Sequence, residues 1–195
     1  MEIQKKDINF KINSDTVLFF DMDGTLVDTN FANFLSYKEA IKSIIKTDEE
    51  IQYIPNERFN RSTLKKIIPN LSEDDLEKII KQKEKNYNKN INHTKLNKII
   101  TDVLIKYSKT NKTVLVTNCR KDRAILTLKY HKLFDEFSNI FYRQISDNGN
   151  HINKYKNAIK NLSLSAENII VFENEKDEIN DAILAGIPTR NIFNF

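Results

Sequence analysis

The chain has 195 residues, of which 31 are Lys or Arg and 27 are Asp or Glu, giving a formal charge of +4. That length suits one compact domain with a sizeable insertion, or two small domains, and a core that needs no staples. The lone cysteine, Cys119, excludes an internal disulfide framework and fits a reducing compartment. No apolar run is long enough to span a bilayer. Neither a secretory leader nor a lipidation signal is evident, so a cytoplasmic protein without a membrane partner is expected. Lys, Asn and Ile are abundant throughout, and no basic stripe interleaves with aromatics. No nucleic-acid partner is therefore expected, while the small basic excess suits an anionic substrate.

The first apolar run is Thr16 to Phe20, short and apolar on both faces, as in a strand buried in a parallel sheet. It leads into the turn Asp21-Met22-Asp23-Gly24-Thr25, where Gly24 supplies backbone freedom. A long helical region follows, from about Asn30 to Lys109. Phe31, Phe34, Leu35, Ile41, Ile44 and Ile45 fit one helix face. Ser72 with Asp75 marks a helix start, and Leu76, Ile79, Ile80, Lys83 and Tyr87 continue that helix. Asn86 to His93 reads as a helix end and turn. Leu96, Ile99, Ile100, Val103 and Leu104 make a further stripe. So much helix between two buried strands reads as an inserted all-helical unit.

Thr113 to Val116 returns to the sheet, and Arg123 to Tyr130 is a crossover helix. Ile140 to Tyr142 is a candidate strand, Lys156 to Leu162 a helix, and Ile169 to Phe172 the third strong strand. Ile179 to Leu184 forms the last helix, ended by Gly186 and Pro188, and Thr189 to Phe193 is a short final strand. The fold class is α/β with a parallel, Rossmann-like sheet. The expected division is a core of 1–28 and 110–195 and a helical insertion of 29–109.

Ligands of parallel α/β sheets bind at the carboxyl ends of the strands. The three best strands run into Asp21-Met22-Asp23, Thr117-Asn118 and Glu173-Asn174. A carboxylate can attack phosphorus to form an aspartyl phosphate. The charges repel, so a cation is needed, and Mg²⁺ takes hard oxygen ligands. A second acid two residues on can protonate the leaving oxygen and then activate water. A helix start after Thr117 can hold phosphate oxygens, and a lysine completes the neutralisation.

Phe19-Phe20-Asp21-Met22-Asp23-Gly24-Thr25-Leu26-Val27-Asp28 resembles the first motif of the haloacid dehalogenase superfamily. Val114-Leu115-Val116-Thr117-Asn118 resembles its second motif, and Val171-Phe172-Glu173-Asn174 followed by Ala182, Ala185 and Gly186 its fourth. The resemblance covers essentially the whole chain and is similar to phosphoglycolate phosphatase and β-phosphoglucomutase relatives, which carry a small helical cap after the first motif. It implies that Asp21 is the nucleophile and a Mg²⁺ ligand. Asp23 would be the general acid/base, its carbonyl also touching the metal. Thr117 and Asn118 would bind the transferring phosphoryl group. The motif lysine is Lys154, with Lys156 the alternative; the usual Lys-Pro pair is missing. Asn174 stands where an acid is usual and, with Glu173, would complete the metal site, with Asp177 and Glu178 holding metal-bound waters.

The implied function is Mg²⁺-dependent hydrolysis of a small phosphorylated metabolite by a monomer or weak homodimer. A sugar phosphomutase and a non-catalytic module on the same fold are the alternatives. Cys119 has no His partner for thiol chemistry and reads as a bystander. His93, His131 and His151 are scattered, without metal-ligand spacing. Arg61 and Arg120 read as solvated, though either has the charge to meet an anion.

Overall fold

The computed structural model describes residues 11–46, 50–55, 57–145 and 152–194. His151 and the first ten residues lie outside that range. The chain divides into two compact units, one of residues 1–27 and 96–195, the other of residues 28–95.

The first unit is built on five parallel strands: β1 (Val17–Phe20), β4 (Thr113–Val116), β5 (Asn139–Phe141), β6 (Ile169–Glu173) and β7 (Ile192–Asn194). Their order across the sheet is β5-β4-β1-β6-β7. β1 lies in the centre, with Phe19 in register with Val114 on one side and Val171 on the other. Every residue of β1, β4 and β6 is buried, as expected of strands covered on both faces. Alternation then sorts the side chains. Leu18, Phe20, Leu115, Ile170 and Phe172 pack on one face with Ile100, Val103 and Leu104 of α4 (Lys98–Tyr107) and Ala124 and Leu128 of α5 (Lys121–Tyr130). Val17, Phe19, Val114, Val116 and Val171 pack on the other with Tyr155 and Ala158 of α6 (Lys154–Leu162) and Ala182 of α7 (Lys176–Leu184).

This packing corrects the expected domain boundary. The helical insertion was expected to span 29–109, but α4 buries its stripe against the sheet and belongs to the first unit. Ile99 of this helix is exposed, off that stripe, and Leu96, just before the helix, is exposed as well. The boundary instead falls in a two-stranded ribbon of β2 (Val27–Asp28) and β3 (Lys95–Leu96).

The second unit holds α1 (Asn30–Ile45), α2 (Arg61–Ile67) and α3 (Glu73–Asn90), with a 3-10 turn at Ile91–His93. Ser72 caps α3, its hydroxyl accepting the Asp75 N–H at 3.1 Å. Phe34, Tyr37, Ala40 and Ile41 pack with Leu64, Leu76 and Ile79. The buried face of α1 is wider and more polar than the apolar pattern implies, because Asn33 and Ser36 are buried on it while Phe31 is exposed. Their polar groups are satisfied locally: Ser36 Oγ donates to the Ala32 carbonyl at 2.6 Å, and Asn86 of α3 reaches the Ser36 carbonyl at 3.3 Å. Among the described residues no helix is long and apolar enough to cross a membrane.

Candidate active site

All the polar groups that matter lie in the first unit, at the carboxyl ends of β1, β4 and β6. Asp21 continues the β1–β6 ladder, its N–H donating to the Phe172 carbonyl at 3.0 Å. The ladder therefore brings Asp21 beside Glu173, the last residue of β6. Both are buried, with Glu173 fully so.

Two carboxylates at such depth demand a cation, and Lys154 supplies it from the first turn of α6. Its Nζ stands 2.7 Å from Asp21 Oδ1, 2.8 Å from Glu173 Oε2 and 3.3 Å from Glu178 Oε2. Tyr155, the next residue, donates its hydroxyl to Glu173 Oε2 at 2.7 Å. Glu173 Oε1 accepts the main-chain N–H groups of Asn174 and Glu175 at 2.9 and 3.0 Å. A carboxylate has about four lone-pair sites, and Glu173 has these four donors. In this geometry Glu173 is paired with Lys154 and its oxygens are fully engaged.

The electrostatics follow from burial and crowding. Burial first, and then the negative charge of Glu173, push the Asp21 carboxyl up to about 7 even though Lys154 pulls the other way. Burial alone would depress the Lys154 ammonium. The carboxylates of Asp21, Glu173 and Glu178 outweigh it and hold that group well above the usual lysine range. Tyr155 is likewise pushed well above the ordinary tyrosine range, by burial and then by Glu173, and stays a neutral donor.

The loop after β1 is set by Gly24, whose φ of 91° suits only glycine. Gly24 N–H donates to the Val27 carbonyl at 2.8 Å, and Leu26 and Val27 N–H groups close onto the Met22 carbonyl. Asn174 lies tight against this loop: Thr25 Oγ1 donates to its Oδ1 at 3.0 Å, and a Cβ on Gly24 would fall 2.5 Å from its Nδ2. Among the described residues no group of three or more His, Cys, Asp or Glu side chains forms a ready-made metal cage. The groups expected to hold a metal, the Asp21 and Glu173 carboxylates, the Asp23 carbonyl and the Asn174 amide, all offer oxygen. That set, with few carboxylates, fits Mg²⁺, which keeps waters and borrows substrate phosphate oxygens, and does not fit a thiolate- or imidazole-seeking metal.

On the other side of Asp21, Thr117 directly follows β4, with its N–H on the Phe141 carbonyl at 2.9 Å. Its hydroxyl accepts the Cys119 N–H at 3.1 Å, so its own proton is left to donate. Asn118 Nδ2 donates to Glu178 Oε1 at 2.6 Å, while the buried Asn118 Oδ1 has no hydrogen-bond partner. Asp23 is met by Arg123, whose Nη2 stands 2.7 Å from Asp23 Oδ2.

The structure thus brings together Asp21, Asp23, Thr117, Asn118, Lys154, Glu173 and Asn174. Of the two candidate lysines, Lys154 is buried at the carboxylates and Lys156 is exposed. Asp177 and Arg120 are exposed, and Arg61 is exposed in the second unit. His93 packs its ring on Phe31 and His131 on Tyr130. Arg123 and Tyr155 were not singled out from sequence. Tyr155 stands where the resembling motif has proline, which was the available signal. For Arg123 the signal was a cation in the first turn of a helix, the end that disfavours it.

The family profile of haloacid dehalogenase-like hydrolases matches residues 18–192. No curated protein sequence matches. A solved haloacid dehalogenase-like hydrolase from Streptococcus pneumoniae is 21% identical, with a TM-score of 0.70, over 90% of this chain and 83% of that one. A predicted phosphoglycolate phosphatase from Haemophilus somnus is 18% identical, with a TM-score of 0.70, over 90% and 84%. A proposed β-phosphoglucomutase from Thermotoga maritima is 20% identical, with a TM-score of 0.64, over 92% and 84%. At these identities the likeness is one of fold.

Proposed function

Because the chain belongs to the haloacid dehalogenase-like hydrolases, we propose that it hydrolyses a phosphate monoester of a small metabolite through phosphorylated Asp21. The observation that carries this reading is the buried Lys154 shared between Asp21 and Glu173, with Asp23 two residues on. Lys154 holds Oδ1 of Asp21, which orients the carboxylate so that Oδ2 is the attacking oxygen.

In the first step an Asp21 oxygen bonds to phosphorus while the bond to the ester oxygen breaks. Asp23 gives its proton to that departing oxygen. In the second step water bonds to phosphorus, Asp23 takes a proton from the water, and the bond to Asp21 breaks. The Thr117 hydroxyl and the Lys154 ammonium would hold the phosphoryl oxygens. Glu173 keeps Lys154 in position through its own saturated hydrogen bonds. Mg²⁺, held by Asp21, the Asp23 carbonyl and Asn174, would supply charge neutralisation for the phosphoryl group. Asn174 brings an oxygen but no charge, so metal binding would lean more on the substrate phosphate.

Uncatalysed phosphate monoester hydrolysis is so slow that enzymes speed it by up to ~10²¹. Concentrated opposite charge of the kind seen around Lys154 is the means by which such a barrier is lowered. The test is phosphate release from p-nitrophenyl phosphate with and without Mg²⁺, comparing wild type with Asp21→Asn. Mg²⁺-dependent release that disappears in the variant supports the reading. Absence of both turnover and Mg²⁺ binding would instead support a non-catalytic module.

A further inference from the structure

Arg123 is a charged side chain at the site to which the proposed chemistry gives no task. Its guanidinium spans two elements: Nη2 donates to Asp23 Oδ2 at 2.7 Å, and Nε donates to Cys119 Sγ at 2.9 Å. The Arg123 and Asp23 side chains are only 12% and 6% exposed. Such a placement is unfavourable twice over. A buried ion pair seldom adds net stability over an apolar pair of the same volume. Arg123 also sits in the first turn of α5, where the positive end of the helix repels a cation. A position that needed only to be filled would be better served by an apolar residue.

The chemical consequence follows from the donor. A guanidinium does not give up its protons in a protein. Oδ2 of Asp23 therefore always faces an N–H and remains an acceptor. A proton that Asp23 gives and takes must reside on the other oxygen.

We propose that Arg123 is a positioning residue for proton transfer at Asp23, fixing Oδ2 as an acceptor and assigning the mobile proton to Oδ1. This rests on the phosphatase reading above. As the bond from phosphorus to the ester oxygen breaks, that oxygen takes the proton from Asp23 Oδ1. Asp23 is left as a carboxylate whose charge faces the guanidinium. When water later bonds to phosphorus, its proton returns to Oδ1 and the phosphorus–Asp21 bond breaks, restoring both acids. Cys119 steadies the far side of the guanidinium, and its own N–H is tied to the Thr117 hydroxyl at 3.1 Å. The orientation of Asp23 is thereby linked to the end of β4.

The test compares kcat/KM for 4-nitrophenyl phosphate and phenyl phosphate, using the full chain with Mg²⁺. Nitrophenolate departs without a proton, whereas phenol, with a pKa like that of tyrosine at about 10, benefits from one. General acid help is worth roughly 10²–10⁴, so Arg123→Gln should lower kcat/KM on phenyl phosphate at least about tenfold more than on 4-nitrophenyl phosphate. Arg123→Lys, which keeps a charged donor, should shift the ratio in the same direction by less, and it carries the test should the glutamine variant fail to fold. Equal losses on the two esters, or a fall in thermal stability with the ratio unchanged, overturn the inference while leaving the phosphatase reading intact. A wild type that turns over neither ester removes the phosphatase reading, and the inference with it.

Discussion

Lys154 Nζ stands 2.7 Å from Asp21 Oδ1, in a contact that spans 133 residues of sequence and is closed off from solvent. The same ammonium reaches Glu173 at 2.8 Å, so one buried cation is shared by two buried anions. Removing the cation leaves the anions uncompensated. Lys154→Met should cost about 3–5 kcal/mol of stability, the usual penalty for breaking a buried pair on one side. It should also abolish measurable phosphate release. Urea unfolding and p-nitrophenyl phosphate turnover check the two effects; an unaltered urea midpoint would remove Lys154 as the neutralising group.

Tyr155 donates the fourth hydrogen bond to Glu173. Tyr155→Phe keeps the ring that packs with Phe19 on the sheet and removes only the hydroxyl. A hydrogen bond to a charged group contributes about 1.5–3 kcal/mol, and a loss in that range is expected in urea unfolding. Turnover should fall less than in the Lys154 variant, because Lys154 keeps both of its carboxylate partners.

Gly24 is held at a φ of 91°, and a Cβ there would lie 2.5 Å from Asn174 Nδ2. Gly24→Ala should therefore carry backbone strain of about 1–3 kcal/mol and push Asn174 off the loop. The expected readouts are a lower melting temperature and a higher Mg²⁺ requirement together. A melting change without any change in Mg²⁺ requirement would separate Asn174 from the metal.

Asn174→Asp would restore a charge beside Asp21. The concentration of Mg²⁺ for half-maximal phosphate release should fall about tenfold, equivalent to about 1.4 kcal/mol. The metal-free variant should be less stable than wild type, since a further carboxylate would then crowd Asp21 and Glu173, which already share the single ammonium of Lys154 with Glu178. Mg²⁺ titrations of activity and of melting temperature test both statements.

The acidity of Asp21 gives a pH dependence with a definite sign. Its carboxyl is pushed from 3.8 up to about 7 on folding, by burial first and then by Glu173. A group that binds its proton more tightly when folded contributes stability that is fully present below the unfolded value. That contribution is lost as pH rises through the folded value. Lys154 stays charged and Tyr155 stays neutral across this window, because both are shifted upward. In chelator, the wild-type melting temperature relative to Asp21→Asn should fall between about pH 4 and about pH 8. A difference that is flat over that range would contradict the assigned environment of Asp21.

The sheet and the ends of its strands were legible because strands buried on both faces are continuous apolar runs, as in Val17 to Phe20 and Ile169 to Phe172. Acids and amides at the ends of such runs stand out. The partner of an apolar helix stripe is not legible in the same way. Ile100, Val103 and Leu104 would suit a helical unit or a sheet equally well, and the fold places them on the sheet. The buried polar face of α1 escaped for a related reason, since Asn33 and Ser36 are accommodated by hydrogen bonds that periodicity does not register. Arg123 and Tyr155 acquire their roles only through contacts with Asp23 and Glu173, 100 and 18 residues away. The saturation of Glu173 needs four donors from separate atoms, and no spacing in the chain announces it.

The most direct test of the central claim is acid quenching of the protein during turnover of p-nitrophenyl phosphate with Mg²⁺, followed by peptide mass spectrometry. One phosphoryl group on Asp21, absent from Asp21→Asn, is the expected result. Turnover accompanied by a phosphoryl group on any other residue, or by an adduct that persists in Asp21→Asn, would contradict it.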